Sequence, residues 1–493
     1  MDRSKNIKRP LMFVGTGSDV GKSVLAAAFC RIFKEDGCQP APFKSQNMSL
    51  NSFVTANGGE IGRAQAVQAE ACGIDCHTDM NPVLLKPSSD KTAQVILNGK
   101  VFGNYSAGSY FRGEIKEQLF AEAMKAFQRL AQKHNPMVLE GAGSISELNL
   151  KENDIANMRV AVETNAATIL VADIERGGVF ASVYGSIQLL TPNERKQIKG
   201  IIINKFRGDI RLFDEGRNII EEITGVPVLG VIPAFNHIQI EEEDSVSLER
   251  KATFANDNKI NVAVVLLRRI SNFTDFNRLE HDERVHLYYT NNRSELQKAD
   301  IIILPGSKNT IADIIELRRN GVAAEVSKLA RTGKTIIGIC GGYQMMGQRI
   351  EDPHGVESDV EAVPGLNILP TTTILAAEKQ TVRSSFYFKN YQTLCSGYEI
   401  HMGKTTCATE SKSLNRLVNG GNEGCCINNN CWGTYMHGIL DNSVVIDDLL
   451  APFAKEQHAT EDYNEFKQKQ YDLLAEHVRQ NVDMDAVYKI LQQ

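Results

Sequence analysis

Several features are missing from this chain, and each absence removes a class of protein. No uninterrupted apolar run approaches the roughly 18 residues of a spanning helix, so a membrane protein is not expected. The opening "MDRSKNIKRP" has basic residues but no apolar core of a secretory signal. No long basic tract interrupts a chain of net charge −6, so nucleic acid is not an expected partner. Ten scattered cysteines do not form the pattern of a disulfide framework and fit a reducing compartment. Cys72, Cys76 and His77 cluster, as do Cys425, Cys426 and Cys431, but neither group has the second paired module of a zinc site. His354 and His401 are likewise read as incidental. There is no internal repeat and no low-complexity tail. A soluble, cytoplasmic, globular protein is expected.

What is present is an alternation of short apolar runs with amphipathic segments. "LMFVG" (11–15), "MVLEG" (137–141), "TILVAD" (168–173), "IKGIIINK" (198–205) and "VPVLGVIP" (226–233) read as buried strands, with helical patterns such as 113–133 between them. That order predicts βαβ units and a mostly parallel sheet. The charged segment 241–259 has little to bury and reads as a surface linker, placing a domain boundary near 250. A second α/β pattern follows, with strands expected at 260–267, 299–306 and 334–340. The expected fold class is therefore α/β in two domains, 1–250 and 251–493.

The first strand runs into "GTGSDVGKS" and then a helix. Strand, glycine-rich turn and helix start are the context of a phosphate loop. Its backbone N–H groups surround an anion, Lys22 reaches the terminal phosphates of ATP, and Ser23 can ligate Mg²⁺. Thr16, Gly17, Asp19, Val20 and Gly21 complete the candidate loop. Thr16 stands where the strict motif has its first glycine. Magnesium needs carboxylate help, and Glu140 lies at an expected strand end, with Asp173 as competitor. Asn204 also ends a strand.

"GICGGYQMMG" (338–347) puts Cys340 on a glycine-hemmed turn between an expected strand and helix. One reading is an ordinary buried cysteine. The other is a nucleophile on a strained elbow, activated by its surroundings. His437, in "GTYMHG", is the candidate base. Backbone N–H groups near Gly306, Ser307 and Gly341 are candidates for an oxyanion hole.

These pieces resemble known families. The loop with its threonine resembles the dethiobiotin synthetase group, which implies that Glu140 helps to bind metal, that Asn204 contacts adenine and that a strand-end lysine, here Lys44, lies near the reacting group. Cys340, His437 and the Gly306–Ser307 turn resemble a class I glutamine amidotransferase. That pattern has glutamate two residues after the histidine; Ile439 stands there, as in the triad-lacking branch of corrinoid amidases.

"KSQNMSLNS" (44–52), "DMNPVLLKP" (79–87), "VADIERGGVFAS" (171–182), "INKFRGD" (203–209), "SNFTDF" (271–276), "LPGSKNT" (304–310) and "GYEIHMG" (397–403) extend the likeness over nearly the whole chain, which resembles the cobyric acid synthase family. The resemblance implies a P-loop synthetase domain followed by a flavodoxin-type glutaminase domain. It implies ATP and Mg²⁺ as cofactors, and glutamine and adenosylcobyrinic acid a,c-diamide as substrates. The b, d, e and g carboxylates would be amidated through acyl phosphates. Lys44, Arg176 and Arg207 are candidate contacts for substrate or phosphate, while Asp79 and Asn81 are either site residues or loop caps. The sister amidase that makes the a,c-diamide is the alternative, and a ParA/MinD-like ATPase switch a more distant one. Oligomeric state, amidation order and the path of ammonia between the domains stay open.

Overall fold

The computed structural model describes residues 6–89, 91–110, 114–243, 245–408, 412–453 and 462–493. The apolar runs near the N-terminus form one six-stranded sheet. Its order is Val228–Pro233, Ile198–Phe206, Ala167–Asp173, Leu11–Gly15, Met137–Glu140 and Ala41–Phe43, with every pairing parallel. Alternation along "LMFVG" explains why it is apolar throughout. Leu11 and Phe13 enter one core, Met12 and Val14 the other. A parallel sheet covered on both faces demands such runs. The strand order brings Gly15, Glu140 and Asp173 to one edge, where ligands of such sheets gather.

A second six-stranded sheet is built from Val285–Thr290, Ile260–Val265, Ile301–Leu304, Thr335–Ile339, Cys431–Thr434 and Cys425–Asn428. Only the last pairing is antiparallel. This sheet has its own core, which includes Trp432 and Tyr288.

Within these sheets the strands Ala41–Phe43, Val285–Thr290, Cys425–Asn428 and Cys431–Thr434 escaped the sequence reading of apolar runs, and so did two further β elements. One is a small sheet of Gln46–Met48, Val83–Pro87, Thr92–Leu97 and Lys100–Ser106. The other is a long antiparallel hairpin, Thr371–Phe388 with Leu394–Cys407. Its strands are half-exposed and interrupted by charges, so they carry no continuous apolar run. The hairpin touches the first domain: Arg383 Nε donates to Val54 O at 2.6 Å, and Lys379 pairs with Glu60.

Chain order and packing diverge in two places. The helices Tyr463–Asn481 and Met484–Leu491 return to the first sheet, where Leu474, Val478, Val487 and Leu491 share a core with Phe29 and Phe33. The segment expected to be a surface linker is anchored at its start. Glu241 accepts from Arg63 Nε at 2.6 Å, and Glu243 accepts from Asn47 Nδ2 at 2.9 Å. Those carboxylates have partners that composition does not reveal. Cys407 and Cys425 form a disulfide, and the other eight cysteines are in no disulfide. Among the described residues no helix is long and apolar enough to cross a membrane.

Candidate active sites

The phosphate loop joins the central strand Leu11–Gly15 to the helix Lys22–Glu35. Gly21 caps that helix at φ 98°, and an added Cβ would meet Asn204 Nδ2 at 2.1 Å, so glycine is needed on both counts. Asn204 Nδ2 donates to Val20 O at 2.9 Å, fastening the loop to a neighbouring strand end. Thr16 O accepts from Ser144 Oγ at 2.9 Å. Lys22 Nζ curls back to Gly17 O (2.9 Å) and Gly143 O (2.8 Å). Burial and nearby Lys44 lower its pKa to about 8 despite Glu140 and Asp19.

Ser23 Oγ donates to Glu140 Oε1 at 2.7 Å, and Lys44 Nζ pairs with the same oxygen at 2.7 Å. Gln68 Nε2 donates to the other oxygen at 2.6 Å. Burial alone would raise the Glu140 pKa, but Lys44 and these donors lower it, so the carboxylate is ionised. Of the two metal candidates, Asp173 is engaged with Lys205 at 3.1 Å, while Glu140 stands against Ser23. A hydroxyl beside an ionised carboxylate, next to a phosphate cradle, fits Mg²⁺. The two arginines lie farther out. Arg176, largely exposed, reaches Asp19 at 3.3 Å, and Arg207 pairs with Glu175 at 2.7 Å on the surface. Asp79 binds Arg129, and Asn81 Nδ2 donates to Lys44 O at 3.1 Å, so both serve local architecture.

In the second domain the strand Thr335–Ile339 ends at Cys340, with φ 52° and ψ −108°. A non-glycine residue there costs about 1–3 kcal/mol and needs support from its surroundings. That support is dense. Cys340 N donates to Thr434 O at 2.8 Å, and Cys340 Sγ lies 3.6 Å from Ile400 O. A Cβ on Gly341 would stand 2.8 Å from Ser307 N, so the two turns that carry the oxyanion-hole candidates are in close contact. Gly306–Ser307 is held by antiparallel pairing to Ile270–Ser271.

His437 is buried beside Cys340, and its Nδ1 lies 2.7 Å from Asp275 Oδ2. Asp275 Oδ1 also accepts from Gly438 N at 3.0 Å. Burial opposes charge on the imidazole, but Asp275 and the Cys340 sulfur outweigh it and raise its pKa to about 10. The usual glutamate is absent, and the group against the histidine, which the sequence left open, is Asp275. Ile439 is an apolar core residue, and the carboxylate comes from "SNFTDF", far upstream. Nothing local to the histidine signals it; that stretch was singled out in the sequence, but without a role.

The two sites are joined by short pieces of chain. The stretch that begins at Lys44 ends at Asn51 and Ser52, which dock on the stretch carrying Asp275. Ser52 N donates to Asn272 Oδ1 at 3.1 Å, and Phe273 N donates to Asn51 Oδ1 at 2.9 Å. A larger cavity of about 560 Å³ lies nearby, lined by Arg63, Arg383, Lys467, Glu70 and Asp441, with none of the phosphate-loop residues. Its charges are partly paired among themselves, Lys467 with Glu70 at 2.8 Å.

Comparison with known proteins follows the same division. Residues 11–247 match the CobQ/CobB/MinD/ParA nucleotide binding domain, and residues 261–445 match the CobB/CobQ-like glutamine amidotransferase domain. The cobyric acid synthase of Phocaeicola vulgatus is 59% identical over 491 residues, covering 99% of each chain. The chain belongs to the cobyric acid synthase family. The cobyric acid synthases of Bacteroides fragilis (59%, 99% of each chain) and Syntrophobacter fumaroxidans (46%, 98% of each chain) are further relatives. Family membership accounts for a nucleotide loop and a glutaminase elbow in one chain, and leaves no place for a ParA-like switch working alone.

Proposed function

We propose that this protein amidates the b, d, e and g carboxylates of adenosylcobyrinic acid a,c-diamide, using ATP and glutamine, in cobalamin biosynthesis. The observation that carries this reading is one chain holding a phosphate loop with Ser23, Lys44 and Glu140, and a Cys340–His437–Asp275 group, in two directly docked α/β units.

A carboxylate is a poor electrophile, so each one first takes the γ-phosphoryl group of ATP, giving an acyl phosphate and ADP. The loop amides, Lys22 and Lys44 hold the phosphates and offset developing charge. Ser23 and Glu140 would hold Mg²⁺, which adds charge neutralisation when bound. Thr16, Gly17, Asp19, Val20 and Gly21 shape the cradle, and Asn204 keeps it closed. Arg176 lies at its rim, within reach of an anionic substrate, whereas Arg207 is outside.

In the other unit Cys340 Sγ attacks the side-chain amide carbon of glutamine. Backbone groups of Gly306, Ser307 and Gly341 face the developing oxyanion. His437 gives a proton to the departing nitrogen, and Asp275 fixes its orientation. Water then hydrolyses the thioester to glutamate. Ammonia displaces phosphate from the acyl phosphate, so each amide consumes one ATP and one glutamine.

The test is mass spectrometry of the adenosylated a,c-diamide incubated with the protein, ATP, Mg²⁺ and glutamine. The expected result is a glutamine-dependent series of amides ending in the hexaamide. Conversion of cobyrinic acid instead, with the a,c-diamide untouched, would assign the sister activity. Cys340→Ala is expected to abolish the glutamine-dependent series yet permit it with high ammonium; equal loss with both nitrogen sources would contradict two separate sites.

A further inference from the structure

The cavity around Cys340 contains more charge than glutamine hydrolysis uses. It is lined by Cys340, His437, Ser307, Gln344 and His401, and by Lys86, Lys379, Lys308 and Glu357. Most of these charges already have partners. Lys86 pairs with Glu60 at 2.6 Å, and Lys379 with the other oxygen of the same carboxylate. His437 is held by Asp275 and His401 by Glu399, at 3.1 Å. Two groups remain. The Lys308 ammonium has no hydrogen bond or ion pair among the described residues, although its backbone is fixed by Lys308 N donating to Arg269 O at 3.0 Å. The Glu357 carboxylate has no ion-pair partner among the described residues and takes backbone hydrogen bonds, from Thr310 N at 2.7 Å and from Ile311.

We propose that Lys308 and Glu357 form the specificity clamp for glutamine, Lys308 taking the α-carboxylate and Glu357 the α-ammonium while the side-chain amide meets Cys340. This rests on the glutaminase reading and deepens it. A free amino acid is a zwitterion, and it needs one cation and one anion that are not already neutralising each other. Lys308 and Glu357 sense each other's charge without forming an ion pair. Burial disfavours the charged form of both, pushing Glu357 up to about 7 and lowering Lys308. A bound zwitterion supplies each with an opposite charge and recovers that cost.

The clamp is built in advance. Glu357 sits on a loop whose backbone is gathered by Asp352, which accepts from Val356 N, Glu357 N and Ser358 N at 2.7, 2.8 and 3.0 Å. Asn309 Nδ2 donates to Glu357 O at 3.0 Å. Lys308 belongs to the same turn as Ser307, so a ligand held by Lys308 is placed next to the proposed oxyanion hole. Such fixed partners favour orientation over flexible capture.

The experiment compares ammonia release from glutamine, glutamine α-amide and N-acetylglutamine by the full-length protein and its variants. Lys308→Met is expected to raise KM for glutamine roughly ten- to hundredfold, the value of a charge-assisted hydrogen bond, while leaving KM for the α-amide nearly unchanged. Glu357→Gln is expected to raise KM for glutamine while leaving N-acetylglutamine nearly unchanged. In both, kcat changes much less than KM. Thermal unfolding checks that each variant folds, with Lys308→Gln as the substitute if Met does not. A rise in KM that is equal for glutamine and its α-amide, or no rise, would overturn the clamp alone. Absence of ammonia release by the parent protein would overturn the glutaminase reading together with the clamp.

Discussion

At the scale of residues, His437 shows how a proposed catalytic group is set by its neighbours. Asp275 lies against Nδ1, which leaves the other ring nitrogen for the sulfur side. Against the cost of burial, Asp275 and the Cys340 sulfur favour the charged imidazole. The sign of the pH effect follows. With Asp275 in place the histidine stays protonated through neutral pH. Asp275→Asn removes a cause that raises its pKa, which then falls toward the ordinary 6.5. The imidazole then loses its proton near neutrality, and the falling limb of the glutaminase pH profile, where the departing nitrogen can no longer be protonated by His437, moves to lower pH. A fall in glutamine-dependent kcat of about 10²–10⁴ is expected, with ammonium-dependent amidation retained. An unchanged profile would show that Asp275 does not orient the histidine. The sequence made Cys340, His437 and the phosphate loop legible because glycines mark each turn. It hid Asp275 because a carboxylate 162 residues from its histidine leaves no spacing to read. Lys308 and Glu357 were hidden likewise, since an unpaired charge is defined by what surrounds it.

At the scale of elements, the stretch 44–52 has a different task at each end. Lys44 touches Glu140 in the phosphate site, and Ser52 and Asn51 bind the backbone and side chain of 272–273, next to Asp275. Movement of the synthetase site therefore has a short route, through the chain 44–52 and two hydrogen bonds, to the group against His437. Asn272→Ala removes one of these bonds and a long one to Tyr398 Oη at 3.4 Å, and leaves the buried Ser52 N unpaired, a cost of about 1–3 kcal/mol, below a typical domain stability. It is expected to release more glutamate per amide formed than the parent does, measured by assaying both products in one reaction. Retained one-to-one stoichiometry would show that the contact plays no part in coupling. Most of the parallel strands were readable as apolar runs; Ala41–Phe43, Val285–Thr290 and Cys431–Thr434 were not, being short or mixed with polar residues. The hairpin 371–407 was not, because its exposed faces carry charge and its partners, such as Glu60 for Lys379, come from the other domain.

At the scale of the whole molecule, the two sheets share one chain but do not divide it cleanly. Helices 463–481 and 484–491 cover the first sheet, and Lys8 N and Arg9 N both donate to Leu491 O. Deleting 463–493 strips Tyr471, Leu474, Val478, Val487, Tyr488 and Leu491 from that core. Each buried side chain contributes about 1.5–3 kcal/mol, and together they rival a typical domain stability of about 5–15 kcal/mol. The truncated protein is expected to aggregate or unfold by circular dichroism even though the phosphate loop is intact; a folded, nucleotide-binding fragment would contradict this. The same closure sets a timetable during synthesis. The nucleotide unit is made before the glutaminase unit, yet one of its faces waits for the helices Tyr463–Asn481 and Met484–Leu491, which are made after it. A prematurely terminated chain would thus be left with an uncovered, sticky sheet, a natural target for chaperones and proteases, so that a nucleotide-binding half is not released without its glutaminase partner.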